Sequence, residues 1–143
     1  MDLTGKVTWK GAQSQKAVFE AYENSDLFIM PSIIATDGDR DGLPNVLMEA
    51  ASKKVCCIAT DLPGITEFIR HDDTGWIVPS KNSQELTRSI ISLSQDPAKR
   101  VRLAESAHKL LTRHFSHSKN VQYIIKLLKS DLDANEDVIQ DSI

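Results

Sequence analysis

The chain has 143 residues, of which 41% are hydrophobic and 26% are charged, and its formal net charge is −3. These values are typical of a globular domain with its own core, and they exclude a disordered or fibrous chain. The negative charge argues against nucleic acid as a partner. Since no apolar run approaches the length of a membrane span, we expect no transmembrane segment.

Acidic residues are concentrated at the end of the chain. Residues 131–143 contain five acids and no base, and without them the formal charge would be +2. We therefore predict a folded domain over residues 1–130 and a solvated, disordered tail over 131–143. Cys56 and Cys57 are adjacent in an apolar run, where neighbours on a strand point to opposite faces and cannot easily bridge. Buried free thiols favour a reducing, cytoplasmic location.

Short apolar runs alternate with helical patterns from the start of the chain. Residues 7–10 predict a strand that ends at Gly11. Ser14 is a candidate cap for a helix whose apolar face carries Ala17, Val18, Ala21 and Tyr22. Residues 26–30 predict a buried strand that Pro31 terminates.

The next stretch changes from a polar loop, residues 37–43, to a helix that starts at Pro44 and continues over residues 45–51. Its apolar residues predict burial on most sides. Glu49 lies inside this helix and needs a partner, because an unpaired buried charge is unfavourable. A second carboxylate, Asp41, precedes the helix. Between the two, the free N–H groups of the first helical turn form a natural seat for phosphate.

The rest of the chain continues the alternation. We predict strands at 55–59 and 76–78, separated by a short helix at 65–70. Asn82 resembles a cap for a helix with Leu86, Ile90 and Leu93 on one face. Two further helices follow, one after Asp96 and one from Ser116. Their apolar faces carry Val101, Ala104, Ala107 and Leu111 in the first, and Val121, Ile124, Ile125 and Leu128 in the second.

This order predicts an α/β fold with a Rossmann-like parallel sheet flanked by helices. Ligands of such sheets bind at the carboxyl ends of the strands. The stretch 37–49 is the connection after the strand at 26–30, so it lies where a ligand is expected.

Several segments resemble the retaining glycosyltransferases of family 4, which have the GT-B fold. The stretch from Asp41 to Ala50 resembles their acidic-Gly-x-Pro-x-x-x-x-Glu-Ala signature, with aspartate where the family has its first glutamate. The resemblance spans about residues 7–128, and other matching segments occur in order at 7–11, 22–32, 59–67 and 74–79. It implies a domain equivalent to part of the C-terminal half of a GT-B enzyme.

The resemblance also implies roles for single residues. Asp41 takes the position that contacts the hydroxyls of the donor sugar, and Glu49 the position that accepts hydrogen bonds from the ribose diol. Both are candidate catalytic residues. The implied donor-binding residues are Gly42, Leu43, Pro44, Asn45, Val46 and Gly11, the last beside the base. The family needs no cofactor and usually no metal, so none is expected.

By resemblance, the chain is the nucleotide-diphospho-sugar-binding portion of a retaining glycosyltransferase. Such an enzyme transfers a hexose from a UDP- or GDP-sugar to a glycan or lipid-linked acceptor. The acceptor-binding N-terminal domain is missing, and through it the enzyme would be peripheral to the membrane. The alternative is a non-catalytic nucleotide-sugar-binding subunit that works with a partner chain. Alone, the chain is expected to be inactive or weakly active.

The residues leave other interpretations open. Asp37, Asp39 and Asp41 could form a calcium loop, although no glutamate follows at the required distance. Glu49 could pair with an arginine in the core. A flavodoxin-like signalling domain would need an acidic pocket after the first strand, which residues 10–13 do not supply.

Overall fold

The computed structural model describes residues 4–34 and 42–115. In chain order its elements are α1 (Gln15–Glu23), β1 (Leu27–Met30), α2 (Asn45–Ser52), β2 (Cys56–Thr60), α3 (Ile65–Phe68), β3 (Trp76–Val78), α4 (Ser83–Ser94) and α5 (Pro97–His114). By internal contacts the chain divides into two units, Met1–His108 and Lys109–Ile143. The first unit contains the sheet. The described part of the second is the end of α5 and Phe115.

The three strands form one parallel sheet in the order β1-β2-β3. Leu27 pairs with Cys56, and Ile58 pairs with Trp76. The central strand β2 is buried over its whole length. This agrees with its continuous apolar sequence, because a parallel strand is covered on both faces. The predicted α/β fold with a parallel sheet flanked by helices is confirmed.

Alternate residues of the strands supply the two faces of the sheet. On one face the strands pack with α4 and α5. Its fully buried residues are Cys56, Ile58, Val78, Leu93, Leu103 and Ala104. On the other face Phe28 contacts Tyr22 of α1, with the ring centroids 5.5 Å apart. Leu47, Ala50 and Ala51 of α2 are also buried.

The helices begin where their caps predict. The Ser14 hydroxyl accepts a hydrogen bond from the N–H of Ala17, and the Asn82 side chain accepts one from the N–H of Glu85. Each satisfies a backbone donor of the first turn that has no acceptor within the helix. Before α5, the Asp96 carboxylate accepts in the same way from the N–H of Lys99.

The predicted strand at 7–10 does not form. These residues have no regular structure, and Val7 and Trp9 are 50% and 92% exposed. A strand needs a hydrogen-bonded neighbour, and no neighbour pairs with residues 7–10 within the described ranges.

Other corrections are smaller. Pro44 is the residue before the first turn of α2 rather than part of it, and α3 ends at Phe68 rather than at residue 70. The buried face of α5 contains Leu103 beside Ala104 and Ala107, whereas Val101 is 62% exposed. The helix from Ser116 and the tail 131–143 lie outside the described residues. Over the part of the chain that is described, no helix combines the length and apolar character needed to cross a membrane.

Candidate functional site

The helix that carries Glu49 starts without a side-chain cap. Pro44 precedes its first turn with φ −69° and ψ 129°, and among the described residues no side chain accepts a hydrogen bond from the turn's N–H groups. In contrast, α1 and α4 are capped by Ser14 and Asn82. The first turn of α2 therefore keeps donors and the positive end of its dipole available to an anion.

The predicted donor-binding residues around this turn are partly open to solvent. Gly42 and Asn45 are exposed, Val46 is 37% exposed, and Leu43 and Pro44 are half-buried. An anion could therefore reach the N–H groups of this segment from outside the chain. Asp41 lies outside the described residues, so its predicted contact with a donor sugar stays a prediction.

The loop after β2 holds the segment that enters α2. Gly64 has φ 88°, and a Cβ placed there would lie 2.7 Å from both the carbonyl carbon and the oxygen of Gly42. Only a residue without a side chain allows two backbones to approach so closely. Sequence alone does not reveal this contact, because it depends on the path of a loop that lies far from Gly42 along the chain.

Hydrogen bonds also connect the loops at the carboxyl ends of the strands. The Thr60 hydroxyl donates to the Ser32 carbonyl at 2.8 Å, and the Asp61 carboxylate accepts from the Ser80 N–H at 2.7 Å. A cavity of about 200 Å³ lies at this edge of the sheet. Its lining includes Pro31, Ile33, Thr60, Pro79, Asn82 and Leu86. These hydrogen bonds thus connect the loops that follow the three strands, beside the cavity.

Glu49 is half-buried and lies near Tyr22 of α1. The Tyr22 hydroxyl donates to the Val46 carbonyl oxygen at 3.4 Å. Burial raises the pKa of Tyr22, and the charge of Glu49 and the proximity of Cys57 raise it further. Glu49 takes part in none of the ion pairs among residues 4–34 and 42–115, so the alternative in which a core arginine pairs with Glu49 finds no such arginine in these ranges.

The two cysteines contribute no reactive group. Burial raises the pKa of Cys56 to about 11 and that of Cys57 to about 12, so both stay as neutral thiols at pH 7. Thiolates are the form that attacks electrophiles and binds metals. No three His, Cys, Asp or Glu side chains within the described ranges are grouped to hold a metal ion. The calcium interpretation of Asp37, Asp39 and Asp41 falls outside these ranges.

Gly11 is the predicted donor-binding residue that is most distant in sequence from α2. It is exposed, with φ 61°, and a Cβ there would meet no atom within 4 Å. Gly11 therefore makes no close packing contact of the kind that joins Gly42 to Gly64. Its predicted place beside a nucleotide base stays a prediction.

Known proteins resemble this chain over most of its length. The amylovoran biosynthesis glycosyltransferase AmsK of Erwinia amylovora is 29% identical over 128 residues, which are 90% of this chain and 31% of AmsK. The structure of HepE from Anabaena in complex with UDP and glucose matches with a TM-score of 0.77 at 23% identity, over 90% of this chain and 33% of HepE. Sucrose-phosphate synthase from Thermosynechococcus elongatus matches with a TM-score of 0.78 at 21% identity, over 91% and 31%.

The chain thus spans about a third of the length of these relatives. The two structural likenesses support the fold alone, since both fall below 25% identity. The family described as glycosyl transferases group 1 matches residues 1–110. Because this match covers most of the sequence, the chain belongs to the glycosyl transferases group 1 family.

Proposed function

We propose that this chain is the nucleotide-diphospho-sugar-binding portion of a retaining glycosyltransferase of family 4. The enzyme transfers a hexose to a glycan or lipid-linked acceptor. The observation that carries the proposal is the first turn of α2, which has no side-chain cap and is partly exposed, with the half-buried Glu49 one turn further on. Membership of the family and the role of AmsK in amylovoran biosynthesis support it.

In this proposal the start of α2 binds the diphosphate of the donor. The N–H groups of Asn45 and Val46 donate to phosphate oxygens, and the helix dipole favours their charge. Gly42 and Leu43 present their backbone to the donor, and Pro44 fixes the entry to the helix. The same donors stabilise the diphosphate as it departs, so the chemistry needs positioning and charge stabilisation from the protein.

The two carboxylates bind the sugars on either side of the diphosphate. Glu49 accepts from the ribose diol, and Asp41 accepts from hydroxyls of the hexose. Aspartate is one methylene shorter than the glutamate of the family, so the carboxylate of Asp41 extends less far from the backbone toward the hexose. Gly11 lies beside the base. The hexose leaves the diphosphate for an acceptor hydroxyl with its anomeric configuration kept, and the proposal assigns no step to a metal.

A further part of the enzyme completes the site. In the described part of the chain, β1 has β2 as its only sheet neighbour and is half-buried along its whole apolar length. A cavity of about 570 Å³ lies beside it, between α1 and Phe28. This open edge fits a further parallel strand, supplied by a longer chain or by a partner. The acceptor-binding domain would belong to that same part.

The cellular location of the chain is part of the same proposal. We place the chain in the cytoplasm, where two buried free thiols persist. Contact with a membrane would come through the acceptor-binding domain. A non-catalytic subunit that binds the donor for a partner chain is the second candidate, and the open edge of β1 is the observation that favours it.

The test is a titration of the purified chain with UDP, GDP, ADP and their glucose and mannose conjugates, followed by amide NMR. We expect shifts at residues 42–46 that are lost in Glu49→Ala. Glu20→Ala is the matched control, because it removes the same charge from an exposed face of α1. If Glu49→Ala leaves nucleotide binding unchanged, or if the amide shifts occur only outside residues 42–46, the proposed site is refuted.

Transfer assays separate the two candidates. We expect little transfer by the chain alone and transfer with retained configuration once the acceptor domain is supplied on the same chain. Activity that appears only with a separate partner chain would favour the non-catalytic subunit. A product with inverted configuration would refute the family 4 mechanism.

A further inference from the structure

The loop after β2, residues 61–64, is attached to the end of β3 and to the core. The Asp61 N–H donates to the Val78 carbonyl oxygen at 3.1 Å, and the Asp61 carboxylate accepts from the Ser80 N–H at 2.7 Å. Ile65, directly after the loop, is fully buried. A short loop with backbone hydrogen bonds at one end and a buried side chain at the other has little freedom to move.

Gly64 is the point where this fixed loop meets the entrance of α2. Its backbone has φ 88° and ψ −50°. A Cβ built there would lie 2.7 Å from the carbonyl carbon and oxygen of Gly42 and 3.2 Å from its Cα. The two backbones are therefore in direct contact, with no side chain between them that could adjust. A displacement of one displaces the other.

The contact with Gly64 falls one peptide unit before the uncapped turn. The carbonyl carbon of Gly42 and the N–H of Leu43 belong to the same planar peptide unit. Pro44 follows, and its ring restricts φ, which is −69° here. The place of the Gly42 carbonyl thus determines the direction of the Leu43 N–H and constrains the path into the first turn of α2.

We propose that Gly64 is a positioning residue for the diphosphate of the nucleotide sugar. It holds the peptide between Gly42 and Leu43, and so it fixes the place of the N–H groups that meet the phosphate oxygens. The inference rests on the proposed function of the start of α2 and extends it to a residue of another loop. Gly64 itself touches no ligand. Donors that are fixed beforehand increase affinity, because binding does not have to order them.

The test measures binding of inorganic pyrophosphate, UDP, GDP and ADP to the full chain and to Gly64→Ala, under conditions where urea unfolding shows both to be folded. The new Cβ cannot stay 2.7 Å from backbone atoms, so the entrance of α2 must shift. We expect pyrophosphate to bind about ten- to hundredfold more weakly, the effect of losing one hydrogen bond to a charged group. Each nucleotide that binds should lose the same factor, because ribose and base are not affected.

Gly75→Ala is the matched control. A Cβ there would lie 2.8 Å from Cγ2 of Ile69 and 2.9 Å from the Cys57 carbonyl oxygen. Gly75 directly precedes β3, at the amino ends of the strands and thus opposite the loops that follow them. This variant should also be destabilised, but its folded form should bind pyrophosphate as the parent does. Equal weakening in both variants would show a general effect of lost stability and would refute the positioning role.

Amide NMR without any ligand tests the contact itself. Gly64→Ala should shift the amide signal of Leu43, whereas Gly75→Ala should leave it in place. An unchanged Leu43 signal in folded Gly64→Ala would overturn the inference.

Two variants of Asp61 test the loop without an overlap. Asparagine keeps a side-chain oxygen that can accept from the Ser80 N–H, and alanine does not. Both remove the same negative charge, so charge alone gives them the same affinity for an anion. We expect Asp61→Ala to bind pyrophosphate more weakly than Asp61→Asn, and equal affinities would contradict the role of the loop. If Gly64→Ala does not fold, this comparison decides.

Failure of the inference differs from failure of the proposed function. If the parent binds pyrophosphate or a nucleotide and folded Gly64→Ala binds equally well, the inference is overturned and the proposed function stands. If the parent binds none of these probes, the proposed function fails and the inference fails with it.

Discussion

Replacing Gly64 with alanine tests the contact that joins the loop after β2 to the entrance of α2. The new Cβ would lie 2.7 Å from the carbonyl carbon and oxygen of Gly42 and 3.2 Å from its Cα. All three are backbone atoms, so no side-chain rotation relieves the overlap. Either this loop or the segment before α2 must move.

Two costs add in this variant. A non-glycine residue at positive φ costs about 1–2 kcal/mol. The overlap adds about 1–3 kcal/mol, as is typical when a group is forced into a filled space. The free energy of unfolding should therefore fall by about 2–5 kcal/mol, a large share of the roughly 5–15 kcal/mol of a typical domain.

Gly11→Ala is the matched control, since Gly11 also has positive φ, 61°, but a Cβ there meets nothing within 4 Å. It should cost about 1–2 kcal/mol from the backbone alone. Urea unfolding of both variants and the parent, followed by circular dichroism at 25 °C, gives the difference. If Gly64→Ala were no more destabilising than Gly11→Ala, the close approach of Gly64 to Gly42 would be refuted.

Three further predictions concern stability and reactivity. Asn82→Ala should lower the free energy of unfolding by about 1 kcal/mol, because it removes the cap of α4. Asn82→Ser should keep most of this stabilisation, because serine also caps helices. Urea unfolding measures both variants. Cys56 and Cys57 should resist a thiol reagent at pH 8 in the folded chain and react in urea, and comparable rates in both states would contradict their burial. Burial raises the pKa of Cys57 from 9.0 to about 12, so the unfolded thiol ionises first. The contribution of Cys57 to stability is then complete below pH 9 and is lost as the pH rises toward 12, and Cys57→Ala should flatten this decline in unfolding curves measured across that range.

Local sequence signals predicted most of the fold. The apolar runs at 26–30, 55–59 and 76–78 lie within one residue of β1, β2 and β3. A continuous apolar run was enough to predict each strand, because helices cover the strands of a parallel sheet. Pro44 predicted the start of α2 to within one residue, since proline suits the entrance to a helix.

The predictions that were wrong or incomplete concern features that depend on contacts between residues distant in sequence. Residues 7–10 have the sequence of a strand, but a strand forms only beside a neighbour, and sequence does not say which neighbours are present. Sequence reasoning also gave no sign that the Tyr22 hydroxyl donates to the Val46 carbonyl oxygen. These two residues meet only because α1 and α2 contact each other.

Some features of the candidate site could likewise be predicted from local sequence, and others could not. The uncapped start of α2 and the place of Glu49 within it follow from the order of residues 42–49. The packing of Gly64 against Gly42 does not, because it is set by the path of the loop after β2. A tyrosine on an otherwise apolar helix face was the one signal that could have pointed to a buried acceptor nearby.

The open side of β1 also determines how the isolated chain should behave in concentrated solution. Within the described ranges, Leu27–Met30 is an apolar edge strand with no neighbour on one side, so its backbone donors and acceptors can pair with a strand of another chain. Pro31 ends this edge and limits its length, but no charged residue interrupts it. We expect self-association to increase with concentration. A strand that pairs with this edge would then prevent self-association as well as extend the sheet.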